Sequence, residues 1–270
     1  IRRGWVEYDE ASGKISLHQI ILDLVYNDMQ PCAENCPHIV GAMTGYLRES
    51  MPNHVERRIQ RKLLGYFIRR VRGANLAYAG LCVSYCEHIA RHSEYLDRAE
   101  EICLPNAERG SRDLLQRICR IKMQAAGSDD DLSAQMLERD DFDEDRYWEE
   151  KSVEVCRLAR KAYAYARDFS EEPAFLGTFC IELAGELDGI VADSLFWSMQ
   201  TERQPYLDRI MDLMMNLLDD AAGYLLKSGL DLGEKRRLFG QIQEFYRTND
   251  YSAMYRSIYY GNAETAYKYQ

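Results

Sequence analysis

The sequence predicts a mainly α protein, built of stacked antiparallel helix pairs behind a short N-terminal β-hairpin. Three observations carry this. From about residue 20 onward, apolar residues recur with the helical period in nearly every segment. Gly, Pro, Asn and Asp interrupt that period at short connections, as helices packed side by side require. Only the opening residues alternate with the two-residue period of strands.

The opening comes first. Trp5, Val6 and Tyr8 form a β-type run, and Asp9 to Gly13 carry turn chemistry. Ile15 and Leu17 then alternate with Lys14, Ser16 and His18, and an amphipathic helix starts at once with Ile20, Ile21, Leu24 and Val25 on one face. A hairpin followed directly by a helix is how the wing of a winged-helix domain ends. Residues 1–30 are therefore expected to be a winged-helix remnant. The start at Ile1 without Met is read as a piece excised from a longer protein.

Helices follow in order. One is expected from Asn35, able to act as its cap, to about Glu49, with Pro52 beyond its end. The next runs from Val55 to Val71, with Val55, Ile59, Leu63, Tyr66 and Phe67 on its apolar face and Gly73 as its stop. Further helices are expected at 74–91, 94–103, 108–125, 144–168, 173–200, 205–228, 233–247 and 251–260. Residues 31–128 form a first helical part, 129–145 an acidic linker and 146–270 a second helical part.

The chain has 270 residues, 46% of them hydrophobic and 29% charged, the balance of a folded domain that buries a sizeable core. Its longest apolar candidate for a membrane span, 210–226, is broken by Asp212, Asp219 and Asp220. Eight cysteines scattered over helical apolar faces read as reduced core thiols, which points to the cytoplasm. The net charge of −10 divides into +3 over residues 1–125 and −13 over 126–270. An acidic chain disfavours nucleic acid as a partner, because that affinity depends on neutralising phosphates. It favours basic partners.

Several clusters invite chemistry and are better read as structure. Cys32, Cys36 and His38 lack a second cluster to complete a zinc site. On a helix, Cys82 and Cys86 face away from His88 and His92, so core thiols and surface imidazoles are expected. Asp140, Asp141 and Glu144 look like the carboxylate-rich motif by which all-α isoprenoid enzymes hold magnesium diphosphate. They stand in a stretch too polar to line a deep cavity. Arg57, Arg58, Arg61, Lys62, Arg69 and Arg72 make a basic helix face. Tyr251, Tyr255 and Tyr259 share a face near the C-terminus and would serve as an aromatic contact surface.

Two family resemblances complete the reading. Gly4, Trp5 and Val6, then Ile15, Leu17, His18 and Ile21, resemble the close of the nucleotide-binding region in bacterial signal-transduction ATPases of the STAND class, with NB-ARC-type modules. In that family a Met-His-Asp-like triplet sets its histidine against the ADP phosphate. His18 matches it, flanked here by Leu17 and Gln19. The resemblance implies nucleotide sensing by His18 in a full-length parent whose phosphate-binding loop lies upstream. The residues from Gly261 to Ala266 resemble the turn and second-helix start of a tetratricopeptide repeat, so the body is expected to be a degenerate superhelix of that kind.

The expected function is non-catalytic: protein–protein interaction or ligand sensing by the helical-repeat region of such an ATPase. No cofactor is expected. The partner is a protein or peptide, met by Tyr251, Tyr255 and Tyr259 and by Arg57, Arg58 and Arg61, with neither nucleic acid nor membrane involved. The alternatives are a magnesium-dependent diphosphate-using enzyme built on Asp140, Asp141 and Glu144, and a winged-helix DNA-binding regulator.

Overall fold

A computed structural model describes residues 6–9, 14–17, 30, 32–49, 65–66, 68–71, 73–88, 94–106, 108–128, 143–198 and 204–248. They are mainly helical, and the chain divides into two compact units, Ile1–Ala90 and Arg91–Gln270.

In the first unit the backbone pairs β1 (Val6–Asp9) antiparallel with β2 (Lys14–Leu17), Val6 opposite Leu17 and Tyr8 opposite Ile15. Two four-residue strands are marginal by themselves in water. The winged-helix unit expected over 1–30 is not supported, and residues 18–29, where its helix was expected, lie outside the described residues.

Helix α1 (Pro37–Glu49) and helix α2 (Leu76–His88) pack on each other. Asn35 does not cap α1. Its Oδ1 accepts from the Cys32 N–H at 2.8 Å inside the preceding turn, and the helix starts two residues later at Pro37. Proline suits a first helical position, because its missing N–H would have no partner there. Asn75 does what Asn35 was expected to do: its Oδ1 accepts from the Tyr78 N–H at 2.9 Å and caps α2.

The segment before α2 corrects a second expectation. Ile68 and Val71 are buried, whereas Tyr66 is 57% exposed with the Arg70 guanidinium 4.9 Å from its ring centre. The aromatic ring is covered by a cation instead of the core, so the buried stripe runs through Gly65, Ile68 and Val71. Gly73, which follows this stretch, has no room for a side chain. A Cβ there would lie 2.7 Å from Ala33 Cβ and 2.9 Å from Tyr78 Cβ.

The second unit holds α3 (Glu94–Cys103), α4 (Arg109–Gly127), α5 (Glu144–Phe169), α6 (Pro173–Ser198), α7 (Gln204–Lys227) and α8 (Leu232–Thr248). Their limits agree with the sequence pattern to about two residues. Local chemistry explains the starts: Asp143 accepts from the Arg146 N–H at 3.0 Å at the head of α5, and Asp231 accepts from the Glu234 N–H at 2.9 Å at the head of α8. Asp143 thus belongs to a helix cap, where a carboxylate meets the positive end of the helix dipole.

The helices stack as pairs. α4 packs along α5 and α6 along α7, while smaller contacts join α4 to α6, α5 to α7 and α6 to α8. So α4, α6 and α8 hold equivalent places in successive pairs. One core runs through the stack, with Cys119, Val155, Leu183, Leu187, Met214, Leu218 and Leu225 essentially buried. Two glycines let its helices close up. A Cβ on Gly127 would meet Ile190 at 2.6 Å, and one on Gly177 would meet Leu225 at 2.9 Å.

Candidate functional site

Where α8 meets α6 the packing loosens. The two helices leave a groove of about 450 Å³, within the range of sites that hold ligands. Thr178, Ile181, Glu182 and Asp188 line it from α6; Arg237, Leu238, Gln241, Glu244 and Phe245 line it from α8. Each set follows helical spacing, so each is one continuous stripe. Gly185 lies on the α6 stripe without a side chain to fill the gap. A Cβ there would stand 3.4 Å from Phe245 Cζ, which fixes the point at which the two stripes approach.

The charges are unevenly placed. Glu182 and Asp188 flank Gly185 by three residues on either side, about 4.5 Å of helix each. Glu244 neighbours Phe245 in sequence. Three carboxylate residues therefore gather around the Phe245 contact. Arg237 lies about 12 Å away along α8, and its Nε donates to Glu234 at 3.0 Å. That carboxylate holds the Arg237 guanidinium above its usual pKa. The wall behind Glu182 is also charged. Arg120 on α4 donates from Nε to Glu186 at 2.9 Å and pairs with Glu182 at 3.3 Å. Burial alone would favour the neutral guanidine, but the two glutamates outweigh it and raise its pKa.

A second polar cluster joins α5 to α7. The Tyr163 hydroxyl donates to Asp220 at 2.9 Å and lies 3.1 Å from the Tyr224 hydroxyl, beside the buried Cys180. Burial, then Asp220, pushes the Cys180 thiol up to about 12, and burial, then Glu100, pushes Cys119 to about 11. Such thiols stay protonated and unreactive at neutral pH. This cluster is a satisfied crosslink of the core.

The sequence-predicted residues fall elsewhere. His18, Arg57, Arg58, Arg61, Asp140, Asp141, Tyr251, Tyr255 and Tyr259 all lie outside the described residues, and Glu144 is described only as backbone in the first turn of α5. Cys82 and Cys86 are buried and His88 is exposed, the arrangement expected of core thiols and a surface imidazole. Cys36 Sγ donates to Asn35 Oδ1 at 3.2 Å and His38 is exposed. No group of three metal-ligating side chains occurs among the described residues. No helix of these residues is long and apolar enough to cross a membrane.

The groove itself was missed. Its signal was present: Thr178, Glu182, Gly185 and Asp188 place polar or missing side chains along one stripe of an otherwise apolar helix. No protein-family model, curated protein or solved structure matches this chain.

Proposed function

We infer that the chain is a non-catalytic helical interaction region, which holds a segment of a partner protein in the groove between α6 and α8. The observation that carries this is the groove: an open, preformed cleft with an apolar floor of Ile181, Leu238 and Phe245, set between rigid helices. A stack of helix pairs keeps such a floor in place without needing the ligand to order it, which lowers the entropic cost of binding. In this reading the region belongs to a signal-transduction ATPase of the kind its opening resembles. The parent would then carry its phosphate-binding loop N-terminal to this region, and the surrounding gene sequence tests that.

Selection from a random decapeptide display library tests the groove. The native chain should enrich a shared set of peptides. Gln241→Trp, which fills the groove from an exposed position, should lose them while keeping its helical circular dichroism. An absence of enrichment, or equal enrichment on the blocked variant, overturns the reading.

A further inference from the structure

We propose that the C-terminal half of α5, with the head of α4 beside it, is a second docking surface, which takes an acidic segment of a partner protein. It stands apart from the groove and does not rest on that reading. Five cations meet here: Arg109 and Arg112 from α4, and Arg160, Lys161 and Arg167 from α5. None of the five forms an ion pair with a carboxylate among the described residues. Elsewhere in this unit Arg117, Arg120, Lys122, Arg146, Arg157 and Arg237 each have one.

Aromatic rings hold three of the five. Arg167 lies 5.8 Å from the centre of the Tyr163 ring, Arg112 lies 5.8 Å from that of Tyr165, and Arg109 lies 4.6 Å from that of Phe169. A ring face orients a guanidinium without neutralising it, so its N–H groups stay open to a carboxylate.

Ala164 is the centre of the surface. It is exposed, with Arg160 and Lys161 about one turn before it and Arg167 about one turn after, all three exposed as well. Its sequence neighbours Tyr163 and Tyr165 fall on the two flanks of that face. A methyl group among three cations leaves a shallow floor, where a carboxylate can approach the helix and meet positive charge from both directions. From Arg160 to Arg167 the helix advances about 10 Å, which suits two or three carboxylates of one short segment.

The surroundings set the kind of partner. Asp168 lies one turn beyond Ala164, Glu154 holds Arg157 before it, and Asp220 of α7 accepts from Tyr163 at the edge. Residues 126–270 carry −13 overall. Charges more than about 8 Å apart are largely screened at physiological salt, so a short acidic segment feels chiefly the cations beneath it. A nucleic acid would run past them onto the acidic surround. Extent and charge therefore favour an Asp- or Glu-rich stretch of protein.

Three fluorescein-labelled probes test the inference: a Glu-rich decapeptide, its counterpart with every Glu replaced by Gln, and a DNA single strand of about ten nucleotides. Anisotropy should show the Glu peptide binding at least tenfold tighter than the Gln peptide, and tighter than the DNA. Its affinity should weaken as salt rises from about 0.05 to about 0.5 M, over which exposed charges are screened. The triple variant Arg160→Gln, Lys161→Gln, Arg167→Gln should lose at least tenfold in affinity. If it fails to fold, Ala164→Glu, which sets a carboxylate at the exposed centre, should show the loss by itself. Arg236→Gln, at an exposed cation of α8, and Gln241→Trp in the groove should leave binding unchanged. No binding of the Glu peptide, equal binding of the Gln peptide, tighter binding of the DNA, or an equal loss in Arg236→Gln would overturn the proposal. A loss in Gln241→Trp would put the peptide in the groove and overturn this surface alone, whereas an empty library selection would overturn the groove alone.

Discussion

The two sides of α6 show opposite solutions to helix packing. Towards α7 the helix closes up until Gly177 has no room for a methyl group, with Leu225 Cδ2 at 2.9 Å and the Ala221 carbonyl oxygen at 3.4 Å from where a Cβ would stand. Towards α8 the same helix keeps a glycine, Gly185, at an ordinary van der Waals distance from Phe245 and leaves a cleft beside it. One glycine permits contact and the other preserves space. Dense packing on the first side supplies stability, and that stability lets the second side stay open and polar.

The sharpest way to break this contrast is thiol chemistry. Cys180 lies on the closed side with its thiol pushed up to about 12 from an ordinary 9.0. A cysteine introduced on the open side by Gln241→Cys should keep an ordinary thiol. At pH 8 the thiolate populations then differ by about a thousandfold. Iodoacetamide labelling followed peptide by peptide should show at least that ratio, and comparable rates would mean the core opens readily. The same shifts set an alkaline limit. The native state holds the protons of Cys119 and Cys180 more tightly than the unfolded chain does, so their contribution is complete below pH 9 and is lost as pH rises towards 11 and 12. Urea midpoints should fall over that window, and less steeply in Cys119→Ala with Cys180→Ala.

Truncation should separate the sides next. Leu183 is fully buried, and Leu183→Ala should cost about 2–5 kcal/mol by transfer and cavity terms. Phe245 is only partly buried, and Phe245→Ala should cost about 1–2 kcal/mol because part of its side chain already meets solvent. Denaturant melts of both variants give the ratio, and a Phe245 variant as damaging as Leu183→Ala would make the groove part of the core.

Arg120 links the two sides, since it reaches from α4 to Glu182 and Glu186 behind the groove. Arg120→Gln should cost about 2 kcal/mol, mainly because Glu186, whose side chain is 18% exposed, loses its charged partner. A loss that vanishes when Glu186→Gln is added would confirm the cause. An unchanged loss would assign it to packing of the Arg120 stem over Phe179, whose ring centre lies 5.4 Å from its guanidinium.

How much of this was legible in the sequence follows from the same physics. The helices of the second unit could be read closely, because apolar period, Pro173 and the capping residues Asp143 and Asp231 act locally. Tyr66 misled, since period alone cannot say whether an aromatic ring meets the core or is covered by Arg70. The pairing of α4 with α5 across residues 129–142 was also beyond reach, as a linker's acidity does not reveal what its flanking helices touch. The groove needed both of its walls. The α6 stripe is visible in sequence, but which helix faces it is a tertiary fact. The surfaces chosen from sequence, at Tyr251, Tyr255 and Tyr259 and at Arg57, Arg58 and Arg61, lie outside the described residues.

The smallest expected effect is the most discriminating, because it predicts opposite signs for one chemical change. Alanine in place of glycine inside a helix gains about 1 kcal/mol from reduced freedom of the unfolded chain and better propensity. At Gly185 that gain should survive almost whole, since the new methyl group would sit 3.4 Å from Phe245 Cζ and overlap nothing. Gly185→Ala should raise stability by about 0.5–1 kcal/mol. At Gly177 the same methyl group would stand 2.9 Å from Leu225 Cδ2 and 3.0 Å from its Cγ, and Leu225 is itself fully buried. Cγ is not a chain end that can swing aside, so α6 and α7 must separate slightly. Overpacking of this kind costs about 1–3 kcal/mol, more than the propensity gain, and Gly177→Ala should lower stability by about 1 kcal/mol. Paired thermal melts measure both. If the two variants shift the same way, the closed and open sides of α6 are packed alike, and the cleft beside α8 is too shallow to hold a ligand.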